Sequence, residues 1–173
     1  MNSACNFASG IFYFYTMKNL TSKMDKRTGM ITAFFVVFAV AVPFLMFKSG
    51  APRVALIVVS LIMSLAFITS YMMIPQLFID QKAIIVKNNF VNIKIPFHDI
   101  KNIEVNPKIG LNIRTLGVGG LFGYFGYFNG NDIWYVTNVY HKVKVETKIG
   151  KIYMISPGNP EEFVTKIKSS ISV

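Results

Sequence analysis

Residues 30–47, MITAFFVVFAVAVPFLMF, and residues 54–74, VALIVVSLIMSLAFITSYMMI, decide how this chain is built. Neither run holds a charged side chain, and the connection Lys48-Ser-Gly-Ala-Pro-Arg53 carries a cation at each end. At about 1.5 Å per helical residue the runs reach roughly 27 and 31 Å, matching a hydrocarbon core of about 30 Å. A helix buried in a soluble protein shows a polar stripe at helical period, and neither run has one. The pattern predicts a transmembrane hairpin over residues 30–75. Pro43 is expected to bend the first helix near its outer end, where lost hydrogen bonds cost least. Ser60 and Ser64, one turn apart, offer a face on which the first helix can approach closely. With no ionisable side chain in either run, the hairpin reads as an anchor rather than a transport or proton pathway.

Charge sets the expected orientation. Of the net +10, none lies in the two runs. Lys18, Lys23, Lys26 and Arg27 precede the first run, the connection holds two cations, and Lys82 and Lys87 follow the second. Cations are retained in the cytoplasm, so both termini are expected there, in the inner membrane, with the short connection outside. Tyr71 suits the headgroup layer. The first 16 residues hold no Lys or Arg, so they lack the charged start of a signal peptide, and Met17 is an alternative start. Residues 1–29 therefore read as a basic tail. A single cysteine, Cys5, excludes an intramolecular disulfide framework.

After Pro75 the pattern changes to alternation at period two. Val91, Ile93 and Ile95 alternate with Asn92 and Lys94, and Asn88-Asn89 forms a turn from the preceding Ala83–Lys87. Ile103 and Val105 alternate with Asn102 and Glu104, and Ile109, Leu111 and Ile113 with Asn112 and Arg114. Val143, Val145 and Thr147 oppose Lys142, Lys144, Glu146 and Lys148, the cleanest case. Closely spaced short strands with one wet face predict an antiparallel sandwich or barrel of about seven strands. A C-terminal helix over 160–171 follows, with Asn159 as its cap, Pro160 in its first position and Glu162 three after the cap. Phe163, Ile167 and Ile171, with Val164, make its apolar stripe, which must dock on the sheet.

Three stretches carry a family resemblance: IIVKNNFVNIKIPFHDIKNIEV (Ile84–Val105), RTLGVGGLFGYFGYF (Arg114–Phe128) and IYMISPGNPEEFVTKI (Ile152–Ile167). In this order and spacing they resemble the bacterial PH domain proteins, small membrane proteins with helices ahead of a pleckstrin-homology-like domain. The resemblance implies that fold over residues 76–173 and a membrane setting. It implies no catalytic residue.

Two sets of residues are candidates for contact with a partner. In GVGGLFGYFG (Gly117–Gly126) the dinucleotide fingerprint fails, because Phe122 stands where glycine is needed. Glycines here permit a loop or bulge whose aromatics fold back over the barrel. The alternatives are a hydrophobic tip entering headgroups, made of Leu121, Phe122, Tyr124, Phe125, Tyr127 and Phe128, or a contact with another protein. The basic residues Arg114, Lys142, Lys144, Lys148 and Lys151 are candidates to face lipid headgroups, with Lys142 and Lys144 projecting together from one strand face. Ordinary solvation of an outer strand face is the competing reading.

Catalysis has little to work with. His98 and Asp99 are adjacent and would point to opposite faces of a strand, with Asp99 capping a turn, and His141 stands by Lys142. No metal-ligand spacing or nucleophile motif appears, so neither an enzyme nor a cofactor is expected. Trp134 and Tyr135, in a strand, read as core or as a sheet face near the membrane. Nucleic acid is not expected despite a pI near 9.7, because no recognition helix carries the charge. The sequence therefore reads as a non-catalytic, membrane-anchored module that binds or scaffolds a lipid or protein partner, with self-association possible. The alternative is an accessory subunit of a larger membrane complex or transporter.

Overall fold

Asp25 fixes where the first helix begins. In the computed structural model of the chain the described residues are 19–106 and 113–171, with the side chains of Arg114 and Val118 outside that description. Helix α1 spans Lys26–Lys48, and the Asp25 carboxylate accepts hydrogen bonds from the Thr28 amide and hydroxyl, each at 2.9 Å. A side-chain oxygen at the N-cap satisfies amides that the helix leaves unpaired. The helix thus starts four residues before the apolar run, and Lys26 and Arg27 belong to its first turn rather than to a tail. Helix α2 spans Arg53–Met72. Both helices are long and apolar enough to cross a membrane, and only 6% of each apolar window is buried.

Two sheets follow. Strands β1 (Gln76–Ile79), β2 (Ala83–Lys87) and β3 (Asn92–Pro96) make an antiparallel sheet in chain order. The second sheet has the order β4-β8-β9-β7-β6-β5, from β4 (Ile100–Val105), β5 (Arg114–Gly119), β6 (Tyr124–Phe128), β7 (Asp132–Val136), β8 (Val143–Thr147) and β9 (Ile152–Ile155). Its neighbours run antiparallel except β7 and β9, which are parallel. Helix α3, Pro160–Ile171, packs against β4.

The sheets face each other across one core. Leu77, Ile84, Val86 and Ile95 come from the first sheet, and Ile103, Tyr135, Val143, Val145 and Ile155 from the second. Phe163, Val164 and Ile167 of α3 close the open end of the sandwich. Each such side chain contributes about 1.5–3 kcal/mol when fully buried. Val143, Val145 and Thr147 are buried while Lys144 and Glu146 are not, as their alternation predicts. Asn159 and Glu162 face each other at 3.0 Å across the start of α3, the capping arrangement read from their spacing.

The described residues hold nine strands where about seven were expected, and the difference has physical reasons. Gln76–Ile79 is too short to show alternation, yet it pairs with β2 over all four residues. The glycine-rich segment is mostly a β-hairpin rather than a loop. Gly117 lies opposite Gly126, and a Cβ on Gly126 would stand 2.3 Å from the Leu116 carbonyl oxygen. Only glycine admits so close an approach of two strands.

Candidate functional site

The linker ahead of α1 is built into the β module. Leu20 donates its amide to the Leu77 carbonyl, and Ser22 donates to that of Ser156, each at 2.8 Å. The Thr137 hydroxyl donates to the Ser22 carbonyl at 2.8 Å, and the Thr137 amide donates to the Ser156 hydroxyl at 2.8 Å. Asn138 donates to the Ser22 hydroxyl at 3.2 Å, and His141 Nδ1 lies 3.2 Å from that same hydroxyl. Asp25 takes a further bond, from the Val139 amide at 3.1 Å. Ser22, Asp25, Thr137 and Ser156 are all buried. A satisfied buried network of this kind fixes one geometry, because breaking any member strands its partner. The start of α1 is therefore bolted to the loop after β7.

A second attachment comes from the tip of the β5–β6 hairpin. Thr32, in the second turn of α1, accepts a hydrogen bond from the Phe122 amide at 3.0 Å and has its hydroxyl 3.3 Å from the Gly120 carbonyl. The Phe122 ring meets Phe67 and Tyr71 of α2 edge-on, with centroids 5.0 and 5.6 Å apart. Phe122 holds φ at 59°, a left-handed conformation uncommon for a side chain of its size. Contacts to both helices hold it there.

A third contact is made by the β2–β3 turn. The Asn88 side chain donates to the Met73 carbonyl at 3.0 Å, capping the end of α2. Phe90, at the tip of this turn, is 56% exposed. Between linker, α2 end, turn and hairpin tip lies a pocket of about 440 Å³.

The residues singled out from sequence separate into groups. Of the aromatic segment, Phe122 and the half-buried Leu121 lie in the tip. Phe125 at 0% and Phe128 at 3% exposure are core, so no wedge of six side chains exists. Tyr124 packs edge-on against Phe128, which stacks on Trp134 at 4.7 Å. Tyr127, 43% exposed, faces the side of the sheet opposite the Phe128–Trp134 stack. The segment alternates as a strand does, sending neighbouring rings to opposite faces.

The basic set also divides. Lys142 is 2% exposed, with Nζ 5.0 Å over the Trp134 ring, and burial lowers its pKa from the ordinary lysine value. It does not project into solvent beside Lys144, because the chain reaches Lys142 from a one-turn 3-10 helix, Val139–His141, before β8 begins. Lys144 lies 3.9 Å from Glu146 and 4.0 Å from Glu104. Lys101 donates to Glu146 at 2.7 Å, and that bond and charge hold the Glu146 carboxyl below the usual range. Lys148 and Lys151 are exposed in the β8–β9 turn. Ser156, which holds the linker, follows the opposite end of β9, roughly 13 Å away at about 3.3 Å per residue. Lys148 and Lys151 therefore lie at the end of β9 away from the linker and the start of α1. Arg114 heads β5, its side chain being outside the described residues, as are residues 107–112 with the expected alternation of Ile109 and Leu111.

His98 and Asp99 share the 3-10 turn Phe97–Asp99 rather than a strand, and their side chains meet at 3.2 Å on the surface. Among the described residues no three His, Cys, Asp or Glu side chains converge as metal ligands would. Trp134 and Tyr135 are core, as expected, although Trp134 Nε1 is buried without a hydrogen-bond partner among the described residues.

Sequence reading missed the junction itself. Its one visible signal is Asp25, Thr28 and Thr32, spaced three and four apart as one helix face, at the mouth of an otherwise apolar run. A family model described as bacterial PH domain matches residues 76–171. Neither a curated protein nor a solved structure matches the chain. The matched segment begins with β1 and ends with α3, so linker and helices lie outside it.

Proposed function

The chain belongs to the bacterial PH domain family, and from that premise we propose that it is a membrane-anchored binding module without catalytic activity. Helices α1 and α2 cross the cytoplasmic membrane as a hairpin. The PH-like domain stands against the inner leaflet, with both termini in the cytoplasm, and recruits or senses a lipid or protein partner there. The observation that carries this reading is the outward apolar surface of the two helices. Phe34, Val37, Val40, Val54, Ile57 and Leu61 are all exposed, and water would not tolerate so large a continuous patch. Tethering raises the local concentration of domain and surface, so weak contacts suffice for binding.

The test is extraction and topology of the full chain. It is expected to stay with membranes through an alkaline carbonate wash, and a C-terminal tag is expected to resist protease added to intact spheroplasts. Release into the wash would defeat the anchoring, and cleavage of the tag would reverse the orientation.

A second reading, an accessory subunit of a larger membrane assembly, draws on a different observation. Val36, Ala39, Val40 and Pro43 of α1 and Ser60, Met63, Ser64 and Phe67 of α2 line a cleft of about 370 Å³ between the helices. A helix of another subunit would fill it. Retention of the protein in a defined high-mass complex in mild detergent would favour this reading over a free-standing module.

A further inference from the structure

The pocket at the junction has a composition that suits one class of ligand. Its volume of about 440 Å³ falls within the common range for small-molecule sites, roughly 300–1,000 Å³. One wall is apolar: Met24, Tyr71 and Phe122. The other side and the rim carry Lys23, Gln76 and Asn89, and no lining residue is acidic. The side chains of Lys23, Gln76 and Asn89 make no hydrogen bond to the described residues, so their donors are open to a ligand.

The surroundings have the same sign. Lys26 and Arg27 lie in the first turn of α1, and Lys87 ends β2 beside the turn that caps α2. Of the carboxylates near the linker, Asp25 is buried and already accepts from Thr28 and Val139, and Glu162 lines a different pocket, shared with Leu20 and Lys166. The pocket also sits beside the last turn of α2 and the start of α1. If those helices cross the bilayer, this is the level of the inner headgroups, so the inference rests on the anchoring proposed above.

We propose that this pocket holds an anionic phospholipid. The phosphate meets Lys23, the amides of Gln76 and Asn89 serve the glycerol and ester oxygens, and an acyl chain leaves past Tyr71 and Phe122 along the helices. Charge pairing supplies selectivity against zwitterionic lipid, since a Lys near the surface attracts anionic lipid appreciably. The lipid would add a further bridge between linker, helix end and hairpin tip, which Thr21, Thr32 and Phe122 already join.

The experiment uses the full chain in phosphatidylcholine nanodiscs doped with a minority of phosphatidylglycerol, with retained lipid counted by native mass spectrometry. Wild type is expected to retain phosphatidylglycerol in preference to phosphatidylcholine. Lys23→Gln with Asn89→Leu, both at exposed positions, is expected to weaken that retention about fivefold. Lys26→Gln with Arg27→Gln removes more charge from the same end of α1 and is expected to do less. Equal loss in both variants would mean general surface attraction and would overturn the pocket assignment, as would a wild type that retains both lipids equally. Displacement of the lipid by soluble glycerol phosphate would mean an anion site rather than a lipid site, which also overturns it. A protein that keeps its membrane insertion and fails these tests sinks only the pocket. One that washes off membranes sinks the anchoring as well.

Discussion

Thr32 and Phe122, 90 residues apart, are joined by a 3.0 Å hydrogen bond from the Phe122 amide to the Thr32 hydroxyl. That bond ties the apolar hairpin to the β module at a second point, distinct from the linker. It also explains why a bulky residue tolerates positive φ. The Phe122 amide is satisfied, and its ring is held against Phe67 and Tyr71. Helix pair and β module are thereby coupled in position, so a tilt of α1 must move the tip of the β5–β6 hairpin or break the bond.

Thr32→Val keeps the shape and removes the hydroxyl. The Phe122 amide then loses its acceptor in a part-buried place, a change that costs about 1–3 kcal/mol. The variant is expected to melt at lower temperature in detergent and to exchange its amides at 120–123 faster than wild type, measured by hydrogen–deuterium exchange. Unchanged exchange at the tip would show that the ring contacts alone hold it.

Asp25→Ala removes a helix cap and an acceptor for the Val139 amide at once. A lost cap costs about 1 kcal/mol, and a stranded buried amide about 1–3 kcal/mol more. The sum is expected to exceed the effect of Thr32→Val in the same melting experiment. Asp25→Asn keeps an oxygen for the Thr28 amide and is expected to fall between.

The sandwich was legible because its strands alternate, and alternation reports a single buried face directly. Val143, Val145 and Thr147 are the clearest instance. The cap of α3 was legible for the same kind of reason, since Asn159, Pro160 and Glu162 act within one turn of sequence. The junction was not. Ser22 meets Thr137 and Ser156, and Thr32 meets Phe122, and no local pattern encodes partners so far away in the chain. The aromatic segment misled for a different reason. Glycine at every third or so position hides a strand, because it removes the side chains whose alternation would announce it. Lys142 misled because a lysine on an apparent outer face gives no sign that a tryptophan lies beneath it.

Gly126→Ala tests the close approach of β5 and β6. The new methyl would lie 2.3 Å from the Leu116 carbonyl oxygen and 2.7 Å from Gly117 Cα, both backbone atoms that cannot rotate away, and Gly126 itself holds φ at 118°. Overpacking typically costs about 1–3 kcal/mol, and the unfavourable φ adds to it. The variant is expected to lose the protection of the β5–β6 pair while β2, β3 and α3 stay protected, again read by hydrogen exchange. Gly130→Ala is the control, because a Cβ there meets no atom within 4 Å, although its φ of 92° leaves some strain.

Lys142 gives the chain a pH dependence of predictable sign. Its burial lowers the pKa from 10.5 in the folded chain, despite the favourable placement of its charge over Trp134. Between that lowered value and 10.5 the unfolded chain binds more protons than the folded one, so stability rises with pH across the window. Above about 10 the tyrosines take over with the opposite sign. Burial raises Tyr135 and Tyr153 from 10.0, so the folded chain keeps protons the unfolded chain has lost, and stability falls again. Lys142→Met preserves the aliphatic stem against the ring and removes the titrating group. At neutral pH the variant is expected to melt above wild type, and the gap is expected to close as pH approaches the tyrosine range. Melting curves of both proteins in one detergent across that span decide it. Parallel curves would mean that Lys142 is charged equally easily in both states and that water reaches its ammonium group in the folded chain.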